Sequence, residues 1–222
     1  MRRVQLFATC LGDLLFPAAV ADAAALLRGA GCDIEFPPEQ TCCGQPAFNA
    51  GHRRAAARFE QTFARAFSSE LPIVCPSGSC ASMVAHRMKT HYDIWELSAF
   101  LDAIGAEPPA RNDGVRIAYH SSCHLLRELG ADDAPRRLLE RSGAELVPLA
   151  RPDLCCGFGG TFSVRHPEVS VAMADDKLAD GGRADVLVTA DPGCLMQLQA
   201  RGARLGTGRV VHLATALARG VA

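Results

Sequence analysis

Four cysteines of this chain are repeated by four others. Cys10, Cys42, Cys43 and Cys80 recur as Cys123, Cys155, Cys156 and Cys194, at offsets of 113, 113, 113 and 114 residues, so one shift of about half the 222-residue chain superposes both sets. The flanking residues follow the same shift. Val4–Phe7 matches Val115–Ala118 as an apolar run into the first cysteine, Cys42-Cys43-Gly44 matches Cys155-Cys156-Gly157, and Ser77-Gly78-Ser79-Cys80 matches Asp191-Pro192-Gly193-Cys194. A chain built this way folds as two similar halves.

The segment Glu107–Gly114 (EPPARNDG) reads as the joint, which sets the halves at residues 1–110 and 111–222. Each half opens on a short apolar run (Arg3–Ala8; Val115–Tyr119), then a helical Ala/Leu pattern (Ala18–Gly29; Ala134–Ser142) and a second short run (Asp33–Phe36; Glu145–Pro148). A further helix (Arg53–Phe67; Glu168–Leu178) precedes another strand (Pro72–Cys75; Val186–Thr189). Asp93–Leu97 and Arg209–Leu213 then lead into a last helical segment. Strand alternating with helix at these lengths predicts an α/β fold: two Rossmann-like half-domains with mostly parallel sheets.

Composition decides what ten cysteines mean. With 49% hydrophobic and 21% charged residues the chain suits a globular protein, and a net charge of −1 supplies no overall field for nucleic acid or an acidic membrane. Met1-Arg2-Arg3 and the apolar run to Cys10 superficially resemble a short signal. Asp13 interrupts it, and no stretch reaches the roughly 18 apolar residues of a membrane span, so a first strand in a cytoplasmic protein is the expectation. In that compartment clustered thiols bind metal or do redox chemistry more often than they form structural disulfides.

The cysteines are expected at strand ends or in the following loops, outside apolar faces, at the edge where open α/β sheets bind ligands. Four thiolates from three loops can hold an iron–sulfur cluster. Both members of an adjacent pair reach one centre only if the backbone bends, and Gly44 and Gly157 stand where that bend is needed. Zinc is a weaker fit, since structural zinc sites favour local Cys-x2-Cys knuckles, but one half can take zinc and the other a cluster. Thiol–disulfide chemistry at each Cys-Cys pair ranks lowest, because adjacent cysteines close a strained ring.

Cys32 and Cys75 lie outside the repeat and read as small core residues. His120 and His124 flank Cys123 and are open to replacing a ligand, to hydrogen bonding with a cluster sulfur, to relaying protons, or to being surface or loop residues with no special role; the other histidines read as structural. Asp191, before Pro-Gly, reads as a turn residue rather than an oxygen ligand. Phe158-Gly159-Gly160 lacks a full Gly-x-Gly-x-x-Gly run, so no nicotinamide or flavin site follows from it.

Thr9-Cys10-Leu11, Cys42-Cys43-Gly44-Gln45-Pro46-Ala47, Pro76-Ser77-Gly78-Ser79-Cys80, Cys155-Cys156-Gly157-Phe158-Gly159-Gly160-Thr161-Phe162-Ser163 and Gly193-Cys194-Leu195-Met196 together resemble the lactate-utilization protein A family of cysteine-rich (CCG) domain proteins, over nearly the whole chain. Related domains occur in the cysteine-rich component of heterodisulfide reductase and in the iron–sulfur subunits of glycolate oxidase and anaerobic glycerol-3-phosphate dehydrogenase. The resemblance implies a cytoplasmic iron–sulfur subunit that oxidises L-lactate to pyruvate with two partner proteins, one of them ferredoxin-like. It implies one or two clusters, of the 4Fe-4S kind, on Cys10, Cys42, Cys43, Cys80, Cys123, Cys155, Cys156 and Cys194. A zinc-stabilised assembly module and a glycolate-type or heterodisulfide-type subunit are the alternatives. The broader family often ends each motif in Cys-x-x-Cys, with five thiols per half. Here Ser77 and Asp191 take the earlier position, which favours a simpler four-thiolate centre over the double cluster of heterodisulfide reductase.

Overall fold

A computed structural model describes residues 1–221. Its elements form two parallel series of ten. The first is β1 (Arg2–Leu6), α1 (Cys10–Leu15), α2 (Pro17–Gly29), β2 (Cys32–Glu35), α3 (Gln45–Asn49), α4 (Arg53–Ala66), β3 (Ile73–Cys75), α5 (Gly78–Arg87), β4 (Ile94–Glu96) and α6 (Leu97–Ala103). The second is β5 (Arg116–His120), α7 (Cys123–Arg127), α8 (Asp133–Arg141), β6 (Glu145–Leu146), α9 (Thr161–Arg165), α10 (Pro167–Asp180), β7 (Val186–Thr189), α11 (Pro192–Leu205), β8 (Arg209–His212) and α12 (Leu213–Arg219). Each element has its counterpart ten places on.

The strands make two sheets, ordered β2-β1-β3-β4 and β6-β5-β7-β8, with every neighbouring pair parallel. Parallel sheets are covered on both faces, so their central strands carry continuous apolar runs such as Val186-Leu187-Val188. Alternate residues then serve different cores. Val4, Leu6, Val74, Ile117, Tyr119, Val186 and Val188 face a core common to both halves. Ile73 and Cys75 face an outer cluster of the first half, Ala118 and Leu187 one of the second.

The halves interlock. Helix α2 packs against α12, and α6 against α8, so these four helices lie between the sheets and fill the common core with Leu27, Leu101, Leu138, Leu139 and Leu217. Each such fully buried leucine contributes about 2 kcal/mol. Asp22 of α2 accepts hydrogen bonds from Thr215 and Arg219 of α12, at 2.8 and 2.6 Å, while Asp102 of α6 pairs with Arg137 and Arg141 of α8, at 2.6 and 2.9 Å. The segment between the halves is pinned rather than loose: Asn112 is buried, donates to Ser142 Oγ and the Ala216 carbonyl, and accepts from the Val221 N–H. Among the described residues no helix is long and apolar enough to cross a membrane.

Candidate metal centres

The eight repeated cysteines occupy equivalent places. Cys10 and Cys123 open α1 and α7, capped by the hydroxyls of Thr9 and Ser122. Thr9 takes a φ of 67°, a left-handed conformation that costs a β-branched residue free energy and stands beside a candidate ligand. Cys80 and Cys194 are the third residues of α5 and α11, capped by Ser77 and Asp191. The Cys42-Cys43 and Cys155-Cys156 pairs lie in the loops before α3 and α9. In the first half Gln40 ties the incoming loop to the end of β1, accepting from the Ala8 N–H at 2.7 Å and donating to the Leu6 carbonyl at 3.1 Å. In the second, Asp180 accepts the Ala150 and Arg151 N–H groups, and the buried Lys177 ammonium donates to the Arg151 carbonyl at 2.7 Å.

Gly44 and Gly157 both take a φ of 84°, supplying the predicted bend. The turn aims each glycine N–H at the first thiol of its pair, Cys42 Sγ at 3.3 Å and Cys155 Sγ at 3.4 Å. Cys10 hydrogen-bonds Cys42, Cys42 contacts Cys43, and Cys43 Sγ lies 3.4 Å from Cys80 Sγ. Cys123, Cys155, Cys156 and Cys194 repeat the series, closing at 3.1 Å. The fold thus brings each predicted set of four together.

These contacts set the thiol acidities. Cys42 is pulled down to about 3, chiefly by the Cys10 S–H and then by Cys43 and the Gly44 N–H. Cys155 is pulled down to about 2, chiefly by Cys123. Cys80 falls to about 5 because Cys43 and then Cys75 donate to it. Cys194 moves the other way: the Cys156 S–H lowers it, but burial and the Asp191 carboxylate outweigh that. Ready thiolates are what a cationic centre binds.

Two expectations about burial need correction. Cys43, Cys80, Cys156 and Cys194 do not lie outside apolar faces; each is buried in the outer cluster of its half, because the two helices and two loops that carry them pack against the sheet. His120 is not a loop residue. It ends β5, is fully buried, and has no hydrogen-bond partner at either ring nitrogen. A ring nitrogen of His120 lies within 4.8 Å of Cys156 Sγ and Cys194 Sγ. Burial lowers its pKa to about 4, which keeps the imidazole neutral.

The residues left outside the repeat separate. Cys32 sits in the common core, away from the thiol sets, whereas Cys75 is buried with its S–H directed at Cys80. Asp191 is not a turn residue but the N-cap of α11, because Pro192 opens a helix there. His124 meets the Gln45 side chain at 3.1 Å.

A cavity of about 270 Å³ exposes Cys10, Cys42, Cys43 and Cys80, and an adjoining one of about 80 Å³ exposes Cys123, Cys155, Cys156 and Cys194. Gln45, Asn49, Ser79, Phe158 and Gly160 line both, so the two sets open on one cleft between the halves. Four thiols from two helix N-termini and one loop, with thiolate-stabilising N–H groups and an apolar surround, fit a thiolate-ligated metal centre in each half.

The cysteine-rich domain family matches the chain twice, over residues 4–85 and 117–199. Lactate utilization protein A of Geobacillus kaustophilus is 42% identical over 97% of this chain and 98% of its own length. That of an Exiguobacterium species is 40% identical over 100% and 99%. The chain belongs to the lactate utilization protein A family. The family's repeated domain therefore takes in both thiol sets and the first three strands of each sheet. A hypothetical protein from Helicobacter pylori shares the fold, with a TM-score of 0.66, 11% identity and 96% of this chain covered; the chain spans about half (48%) of that protein's length.

Proposed function

We propose that this chain is a cytoplasmic iron–sulfur subunit of a multi-protein system that oxidises L-lactate to pyruvate, acting in electron transfer alongside two other lactate-utilization proteins, one of them ferredoxin-like. The observation that carries the reading is the pair of four-thiol sets opening on one cleft. The name borne by the relatives supports lactate as the substrate of the system.

Oxidising a 2-hydroxy acid to the 2-oxo acid releases two electrons and two protons. An iron–sulfur cluster, when bound, supplies one-electron transfer. This chain's residues then do three things. The Gly44 and Gly157 N–H groups hold thiolate charge on Cys42 and Cys155. The outer apolar clusters back Cys43, Cys80, Cys156 and Cys194 on the side away from the cleft. Among the described residues, no lysine or arginine lines either cavity, and His124 is the one basic side chain that does. That favours a subunit that passes electrons over one that binds lactate by itself.

Anaerobic purification with iron and sulfide analysis and EPR tests the proposal. Iron and sulfide at cluster stoichiometry are expected; a protein that binds no iron under any reconstitution overturns it. One observation favours zinc in the second half as an alternative: His120, Cys156 and Cys194 present donor atoms within 4.8 Å of one another, a compact set suited to a tetrahedral ion. Stoichiometric zinc in protein made with ample iron would decide for it.

A further inference from the structure

The two sets have matched cysteines and unlike neighbours. Three residues before the first cysteine of each set stands Phe7 in the first half and His120 in the second. The Phe7 ring packs edge-on against Phe63 and Phe67 in the apolar cluster that also holds Cys43 and Cys80. His120 enters the corresponding space with two polar nitrogens, fully buried and without a partner, and a ring nitrogen reaches Cys156 and Cys194. Buried polar groups are satisfied in folded proteins, so an imidazole orphaned at both nitrogens beside two thiols points to a missing ligand.

The end of the neighbouring strand differs in the complementary sense. Cys75 closes β3 with its thiol on Cys80, while Thr189 closes β7 with a buried hydroxyl that has no partner. The second half thus sets a nitrogen donor beside its thiols, where the first half has only a hydrogen bond from Cys75 to Cys80.

Resting on the reading that the cysteine sets hold metal, we infer that His120 is a metal ligand of the second centre, bound through one ring nitrogen beside Cys156 and Cys194. The halves then hold chemically different centres, thiolate-only in the first and mixed imidazole and thiolate in the second. Neutral imidazole serves iron and zinc alike, and a histidine in place of a thiolate raises the potential of an iron–sulfur centre. If iron fills both halves, the second centre is the more easily reduced of the two, and electrons settle there.

The test uses the full-length chain, wild type and with Cys42→Ser/Cys43→Ser to leave only the second set complete, prepared without oxygen. X-ray absorption at the iron and zinc edges reads the metal and its bonded atoms; where the centre is paramagnetic, pulsed EPR of protein labelled with nitrogen-15 histidine reads the same nitrogen. A metal-bonded nitrogen is expected in both proteins, lost in His120→Phe and kept in His124→Gln. His120→Gly with added imidazole restores it, which guards against a Phe substitution that merely disturbs packing. A sulfur-only environment in a metal-loaded parent, or a nitrogen that survives His120→Phe and His120→Gly without imidazole, overturns the inference and leaves the metal reading standing. Absence of any metal from wild type and variants alike overturns the proposed function, and the inference with it.

Discussion

Ser77 and Asp191 occupy the same position of the two halves, and they touch: the Ser77 hydroxyl donates to Asp191 Oδ2 at 3.1 Å. The same oxygen accepts the Ser79 N–H at 2.8 Å, and Asp191 Oδ1 accepts the Gly193 N–H at 3.0 Å. One buried carboxylate therefore caps α11 and reaches the first turn of α5, the helices that carry Cys194 and Cys80. It joins the two sets through one side chain.

Asp191→Ala should therefore act on both centres at once. It leaves three donors without their acceptor, at a cost of about 3 kcal/mol, whereas Ser77→Ala removes its bond to Asp191 and the cap on the Cys80 N–H and should cost about 2 kcal/mol. Urea unfolding measures the first effect and iron per chain the second. A loss of iron confined to one half in Asp191→Ala would count against the shared cap.

Gly44→Ala and Gly157→Ala should be unequal although both residues have a φ of 84°. The left-handed backbone alone costs about 1–2 kcal/mol in each. A Cβ on Gly44 would meet Phe59 Cβ at 2.8 Å, and one on Gly157 would meet the Ser170 backbone oxygen at 2.4 Å. Both atoms move only with their helices, but the Ser170 carbonyl is the closer obstacle, so Gly157→Ala should lose more stability and more of the second centre's metal. Unfolding midpoints and metal content of the two variants check the order.

The sequence repeat reveals the division into two matching halves because the cysteines sample separate parts of each half. Long helices such as Arg53–Ala66 and Pro167–Asp180 are legible from periodicity. The five- and six-residue helices α1, α3, α7 and α9 are not. They are too short to show a face and depend on caps such as Thr9 and Ser122, or on glycine turns, and on packing. The interlocking of α2 with α12 is equally hidden, since a Pro/Gly-rich joint reads the same whether it hangs free or is pinned by Asn112. The burial of His120 escapes for a different reason. Both faces of β5 are covered, so alternation along it does not separate core from solvent.

Ligand and bystander cysteines should separate cleanly. Cys43→Ser and Cys156→Ser each remove a buried thiol in contact with two others of its set, and each should abolish its own half's metal while sparing the other. Cys32→Ser buries a hydroxyl in the common core and should cost about 1–3 kcal/mol with metal content unchanged. Cys75→Ser should retain metal but alter the spectrum of the first centre, because the S–H that supports Cys80 is gone. Metal analysis and EPR of the four variants distinguish these outcomes.

Glu96 gives the fold a pH dependence that a single substitution exposes. It caps α6, with Oε2 accepting the Ser98 and Ala99 N–H groups and the Ser98 hydroxyl, while Oε1 is buried without a partner. Burial raises its pKa from 4.5 to about 7, against the pull of those donors. The folded state therefore binds the proton more tightly than the unfolded one, and stability falls as pH rises from about 4.5 through about 7. His212, the counterpart cap on α12, opposes this: burial lowers it to about 4, so its contribution rises with pH over roughly the same window, from about 4 to 6.5. The two trends offset one another in the wild type. Glu96→Gln keeps an acceptor for the helix and removes the ionisation. The stability difference between variant and wild type should be near zero at about pH 4, grow through about pH 5–7 and level off above, at no more than about 3 kcal/mol in the variant's favour. Urea midpoints from about pH 4 to 8 measure it; a difference independent of pH would mean that Glu96 ionises as freely in the fold as in water.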